Sequence, residues 1–251
     1  MANPPFRVAT DASLSLPDGN LQVFVRLARR VALDAAARSR LAAPIRAWSS
    51  FGDAGGLAGA AHAPETSRLK TLIEAQLTGQ ANELVWAFEV ANVDAGALVV
   101  LQNVLHHVHL LGTDIDSVAL HGALVRTGRP VAGELPVDYE PYAFDVEYGM
   151  ERAQVLVDVE FDQPLEPAQL AALERGWSAW EIVAGFGGFA DETYPPGKAS
   201  LAVEDALRVT STGASANYDD VAIADAGFYC LVNLLQAIRA RGARIAGVVI
   251  E

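Results

Sequence analysis

The chain carries one unit twice, and this duplication constrains the fold more than any other property, because whatever the first copy adopts the second must adopt too. At an offset of 132 residues, Val23-Phe24-Val25-Arg26-Leu27 aligns with Val155-Leu156-Val157-Asp158-Val159, Leu41 with Leu173 and Trp48 with Trp180. Gly55-Gly56-Leu57-Ala58 then matches Gly187-Gly188-Phe189-Ala190. Beyond this the offset shrinks by one or two, so that Val93-Asp94-Ala95-Gly96 meets Ala224-Asp225-Ala226-Gly227, Asn103 meets Asn233 and Gly112 meets Gly242.

Hydrophobic periodicity orders each copy as strand, helix, hairpin, helix, strand. Leu21 to Leu27 alternates as a half-buried strand does. A helix is predicted from about Leu33 to Ser50, with Leu41, Ile45 and Trp48 on one face, as Leu173, Trp177 and Trp180 are in the second copy. Leu69 to Leu77 and Leu84 to Val90 read as a hairpin joined through Thr78-Gly79-Gln80. Asp94 and Asp225 are candidate N-caps of the next helix, Gly112 and Gly242 its ends, and Ser117 to Leu120 or Gly247 to Ile250 a closing strand. Phe6 to Thr10 and Phe144 to Tyr148 add an extended segment in front of each copy. The order β-α-β-β-α-β defines an α+β protein of two internally duplicated ferredoxin-like units, each an antiparallel sheet with helices on one face. The first repeat is assigned to residues 1–130, and an acidic, aromatic connector with the second repeat to 131–251. A pseudo-twofold relation is expected, with sheets meeting face to face or edge to edge and a groove or cavity between the halves.

The 31 acidic against 18 basic side chains give a formal charge of −13, which excludes a phosphate-backbone binder relying on clustered Lys and Arg. Charge serves solubility in general, and steering toward a basic partner where it is concentrated. Lys70 and Lys198 are the only lysines, a composition of high-GC, bacterial character. No apolar run is long enough to span a bilayer and no basic-then-apolar leader opens the chain, so a cytoplasmic setting without membrane attachment is expected. Cys230 is the single cysteine; in an apolar helical stretch it reads as a buried, inert thiol.

The candidates for chemistry each have a structural competitor. The glycine groups at 52–56 and 185–188 follow a helix rather than precede one, so they terminate helices and do not cradle phosphate. Pro44 and Gly176 coincide in the alignment and mark a matched weak point of the helix. His106 and His109 have the spacing of two zinc ligands on one helix, with His107 pointing elsewhere. Two histidines do not complete a site, and Gln102, Gln236 and Arg239 make that face read as solvated. Neither a metal nor a cofactor is expected. Glu174 and Glu181 fall on the polar side of their helix, and Asp219 and Asp220 read as hairpin-turn residues, so no catalytic residue is assigned.

Asp138, Tyr139, Glu140, Tyr142, Asp145 and Glu147 interleave carboxylates with aromatic rings, and the loop containing Asp191, Glu192 and Tyr194 is similarly acidic. Together they form the candidate partner-binding face, since tyrosines supply contact area and carboxylates complement a basic surface. An inter-domain linker packed on both halves would have the same composition. The sequence therefore favours a noncatalytic binder of a basic protein, of the immunity or antitoxin type. The alternative is a small-molecule binder or enzyme with a pocket between the repeats, and a purely structural duplicate is the third class. Residues unmatched between copies, including the histidines, Trp86 and Asn217 to Asp220, are the ones left free for function.

Overall fold

Strict alternation writes the strands. In the computed structural model, which describes residues 4–10, 19–28, 35–58, 66–78, 82–122, 142–149 and 154–251, Val155, Val157 and Val159 are buried while Gln154, Leu156, Asp158 and Glu160 face out. That period of two is the mark of a sheet covered on one side only. The first repeat comprises β1 (Arg7–Thr10), β2 (Gly19–Leu27), α1 (Ala35–Ala54), β3 (Arg68–Leu77), β4 (Glu83–Ala91), α2 (Gly96–Leu110) and β5 (Ile115–Gly122). The second comprises β6 (Asp145–Tyr148), β7 (Gln154–Phe161), α3 (Pro167–Gly185), β8 (Ser200–Val209), β9 (Gly213–Ala222), α4 (Asp225–Ala240) and β10 (Ile245–Ile250). The strand orders are β1-β5-β2-β4-β3 and β6-β10-β7-β9-β8, so the same four-stranded ferredoxin-like sheet occurs twice. Each gains an edge strand, and because β1 runs parallel to β5, and β6 to β10, the sheets are mixed rather than wholly antiparallel.

The halves meet through their helices, not through their sheets. α1 packs on α3 and α4, and the outer face of each sheet stays open. The expected stacking of sheets fails for a reason visible in β7: a strand that points Asp158 and Glu160 away from its helices cannot bury that face against another sheet without desolvating both carboxylates. The meeting of the halves is also close-packed. A Cβ placed on Gly176 of α3 would stand 2.5 Å from Leu234 Cδ1 and 3.0 Å from Ala54 Cβ, so this glycine admits the neighbouring helices, while α1 runs unbroken through Pro44.

A reciprocal clasp expresses the pseudo-twofold. Asn103 of α2 crosses to donate to the carbonyls of Gly188 and Ala190 at 3.1 and 3.0 Å. Its counterpart Asn233 of α4 donates at 3.5 Å to Ala58 O, the position matched by Ala190. Within each repeat the buried tryptophan does the same work twice: Trp48 donates to Ala97 O at 2.8 Å and Trp180 to Gly227 O at 2.7 Å. Each edges against an aromatic ring from the sheet, Phe88 or Tyr218, at a centroid distance of 5.4 Å.

Those pairs correct the alignment of the first strands. Bonds from Leu27 N to Asn82 O and Phe161 N to Thr212 O, and from Ala28 N to Asp114 O and Asp162 N to Arg244 O, make Leu27 equivalent to Phe161. Arg26 thus corresponds to Glu160 and Phe24 to Asp158, two residues from the sequence alignment, a slip that leaves every inward residue inward. The helix signals also resolve. Neither aspartate holds the cap position itself: Asp94 precedes Ala95 at the cap of α2 and accepts from Gly96 N–H at 2.6 Å, whereas Asp225 lies inside the first turn of α4, behind Ala224 at the cap position. Gly112 and Gly242, at φ of +97° and +99°, end α2 and α4 in a conformation that suits glycine.

Candidate functional site

Each sheet turns its outer face to solvent, and there the repeats diverge. On the second sheet, Asp145 pairs with Gly247, which pairs with Glu160; one step along, Glu147 pairs with Val249 and Val249 with Asp158. Residues directly opposite one another share a face, so β6 and β7 project carboxylates on either side of β10, about 10 Å apart at the ordinary strand spacing. The floor between them is small and apolar, Gly247 and Val249, with Leu156 (37% exposed) beside it on β7. All four carboxylate residues, Asp145, Glu147, Asp158 and Glu160, are exposed. Among the described residues no ion pair engages any of them.

The first sheet puts different chemistry in the same places. Arg7 stands where the second repeat has Asp145, and Arg26 where it has Glu160; Ala9 and Phe24 replace Glu147 and Asp158. Both arginines are paired, Arg7 with Asp116 at 3.2 Å and Arg26 with Glu83 at 2.9 Å. The first sheet therefore pairs both of these arginines within itself, and the second leaves a run of carboxylates without an ion pair among the described residues. Continuing across the second face toward the β8–β9 turn, a shallow depression of about 350 Å³ is lined by Asp158, Glu160, Arg208, Thr210, Thr212 and Ser215.

Of the residues singled out in the sequence, Asp145 and Glu147 belong to this face. The aromatic members of the same segment turn the other way: Tyr142 stacks on Phe144, and Tyr148 on Tyr229 of α4 at 5.4 Å. Asp191, Glu192 and Tyr194 lie in the loop leading into β8, the edge strand farthest from β6. There Asp191 accepts from Tyr194 N–H at 2.7 Å and closes a local turn. Asp138, Tyr139 and Glu140 lie outside the described residues. Asp158 and Glu160 passed unremarked in the sequence, where they are ordinary polar members of an alternating strand; only the pairing of β6 with β10 and β10 with β7 brings them opposite Asp145 and Glu147.

The remaining candidates have structural roles. Trp86 is buried. Asp219 and Asp220 lie within β9, not in a turn; Asp219 occupies an outward position, and Asp220 has a φ of +49° where the register shifts. His106 is buried rather than solvated, His107 bonds through Nδ1 to Pro196 O and His109 accepts from Ile115 N–H, so the three rings are engaged in packing and hydrogen bonds within the fold. Among the described residues no group of three or more His, Cys, Asp or Glu side chains is arranged to hold a metal ion. Burial, reinforced by Asp94, pushes the Cys230 thiol up, which makes it a poor nucleophile.

Glu181 is less polar in its surroundings than its helix position implied. Trp177 donates to Tyr218 OH at 2.6 Å and Tyr218 donates to Glu181 at 2.9 Å. Burial raises the Glu181 carboxyl above its ordinary 4.5, with the bond from Tyr218 pulling it partly back. A carboxyl raised in the folded state favours folding below the unfolded value and loses that contribution as pH rises through the folded one. Glu181→Gln is therefore expected to gain stability relative to the parent between about pH 4 and about pH 7, with little difference at the acid end. Urea midpoints across that range check this, and a pH-independent difference would contradict it.

The sequence matches no protein-family model and no curated protein. No helix among the described residues is long and apolar enough to cross a membrane.

Proposed function

We propose that this chain is a noncatalytic binding protein of the bacterial cytosol that holds a basic protein partner on the outer face of its second sheet, as immunity and antitoxin proteins do. The observation that supports this reading is the run of uncompensated carboxylates at Asp145, Glu147, Asp158 and Glu160, set on a hydrogen-bonded sheet at positions where the first repeat has paired arginines or apolar residues. A sheet fixes the spacing of its side chains, so these charges meet a complementary surface with little ordering cost. Their field steers encounter, and Val249 and Leu156 supply apolar contact once the partner docks. The same charges repel nucleic-acid phosphates.

The test is capture of the tagged protein's partner from its native host at low salt, followed by affinity measurement with the combined variant Asp145→Asn, Glu147→Gln, Asp158→Asn and Glu160→Gln. Loss of four rim charges is expected to weaken the complex on the order of 10–100-fold, mostly through the association rate, without altering the melting profile. A basic partner bound equally well by the variant would remove the acidic face from the mechanism. A retained small molecule with no protein would replace the reading altogether.

A further inference from the structure

The repeats anchor their added edge strands with different chemistry. In the second, Gln236 of α4 accepts from Ala143 N–H at 3.3 Å just ahead of β6, and Arg239 donates to Ile245 O at 3.2 Å. Neither side-chain type changes charge near neutrality. In the first repeat the matching positions of α2 are His106 and His109. Phe6, 6% exposed and immediately before β1, sets its ring against both imidazoles at centroid distances of 6.3 and 5.7 Å. His109 Nδ1 also accepts from Ile115 N–H at 3.2 Å, tying the end of α2 to the start of β5.

An imidazole nitrogen accepts a hydrogen bond only while it carries no proton. Protonation of His109 turns that nitrogen into a donor facing the Ile115 N–H, and protonation of both rings places like charges one helical turn apart. His106 must take its charge in a nearly buried position. Among the described residues, the other charged or titratable groups on the elements that meet at the cluster are His107 on the same helix, Arg7 of β1, Asp116 of β5 with which Arg7 pairs at 3.2 Å, and Asp114 in the turn before β5. The Arg7–Asp116 pair is not of a type that titrates with imidazole.

We infer that β1 is an acid-releasable edge strand: charging His106 and His109 unseats Phe6 and frees β1 from β5, while β6 stays on β10. Burial, and behind it the neighbouring His109 and His107, holds the His106 imidazole below its ordinary 6.5. The neutral ring is thus the form the fold favours. Its stabilising contribution is complete above the ordinary imidazole value and is lost as pH falls through that value toward the lowered one. Release would leave the edge of β5 from Ser117 to Leu120 without its parallel partner, a row of backbone donors and acceptors open to another extended segment.

Amide hydrogen exchange on the full chain, corrected for the intrinsic chemistry of exchange, tests this at about pH 7.5 and about pH 5.5. The amides of β1 are expected to lose protection about tenfold or more at the lower pH, with those of β6 nearly unchanged as the internal control. Equal protection of β1 at both pH values, or an equal loss in both strands, overturns the inference. Transplanting the second repeat's residues as His106→Gln with His109→Arg is expected to abolish the pH dependence, and its persistence in the folded variant also overturns the inference. Should that variant not fold, the contrast between β1 and β6 in the parent decides.

Discussion

Trp180→Ala is expected to lower the unfolding free energy by roughly 3–5 kcal/mol and to shift a single transition of the whole chain, read by circular dichroism in urea. The indole is fully buried, donates to Gly227 O at 2.7 Å, and packs against Tyr218, Phe228 and Phe189. Its removal opens a cavity at the centre of the second repeat and takes the second of two donors from a carbonyl in the first turn of α4, which keeps its intrahelical one. Domains of this kind have only about 5–15 kcal/mol in hand, so the variant spends a large part of that reserve. One transition is expected because α1 packs directly on α3 and α4, and Asn103 and Asn233 bond across the same boundary. Trp48→Ala should behave alike, since Trp48 makes the matching bond to Ala97 O and the matching contact with Phe88. A loss below about 1 kcal/mol, or two separated transitions, would contradict this account.

Gly176→Val is expected to cost about 2–3 kcal/mol by overpacking, although replacing a mid-helix glycine ordinarily helps a helix. The new Cβ would lie 2.5 Å from Leu234 Cδ1 and 3.0 Å from Ala54 Cβ. Leu234 is itself fully buried, so the three helices can accommodate the branched side chain only by separating. Gly185→Ala is the control: a Cβ there meets nothing within 4 Å, and its effect is expected to be neutral or stabilising by up to about 1 kcal/mol. Equal urea midpoints for the two variants would show that close approach of the helices is not what Gly176 provides.

The order of elements, the buried tryptophans and the helix-ending glycines were legible because each follows from local period or turn chemistry. The register of β2 against β7 was not: with side chains alternating, an alignment displaced by two residues places Val25 and Val159 inward as well as the true one does. Trp86 lost its match for a similar reason. At equivalent sites the indole comes from β4 in the first repeat, with Ile45 on the helix, and from Trp177 of α3 in the second, with Ala216 on the strand. A swap of bulk between two layers is invisible to residue-by-residue comparison. Asp145 and Glu147 could be found by composition, but Asp158 and Glu160 join them only through the non-local pairing around β10.

Placing the helices between the sheets also divides each strand into two unrelated assignments. Its inward residues are committed to a core shared by both halves, while its outward residues lie outside that core and pair only within their own sheet. An outward side chain can therefore be exchanged, even for one of opposite charge, with compensation confined to its own sheet. Arg7 against Asp145 and Arg26 against Glu160 are such exchanges, and the acidic partners Asp116 and Glu83 give way with them to Ala246 and Gly213. Two copies of one scaffold thus present a pair of independently variable surfaces on opposite sides of a common interior, and new recognition can be written on either without rewriting the other.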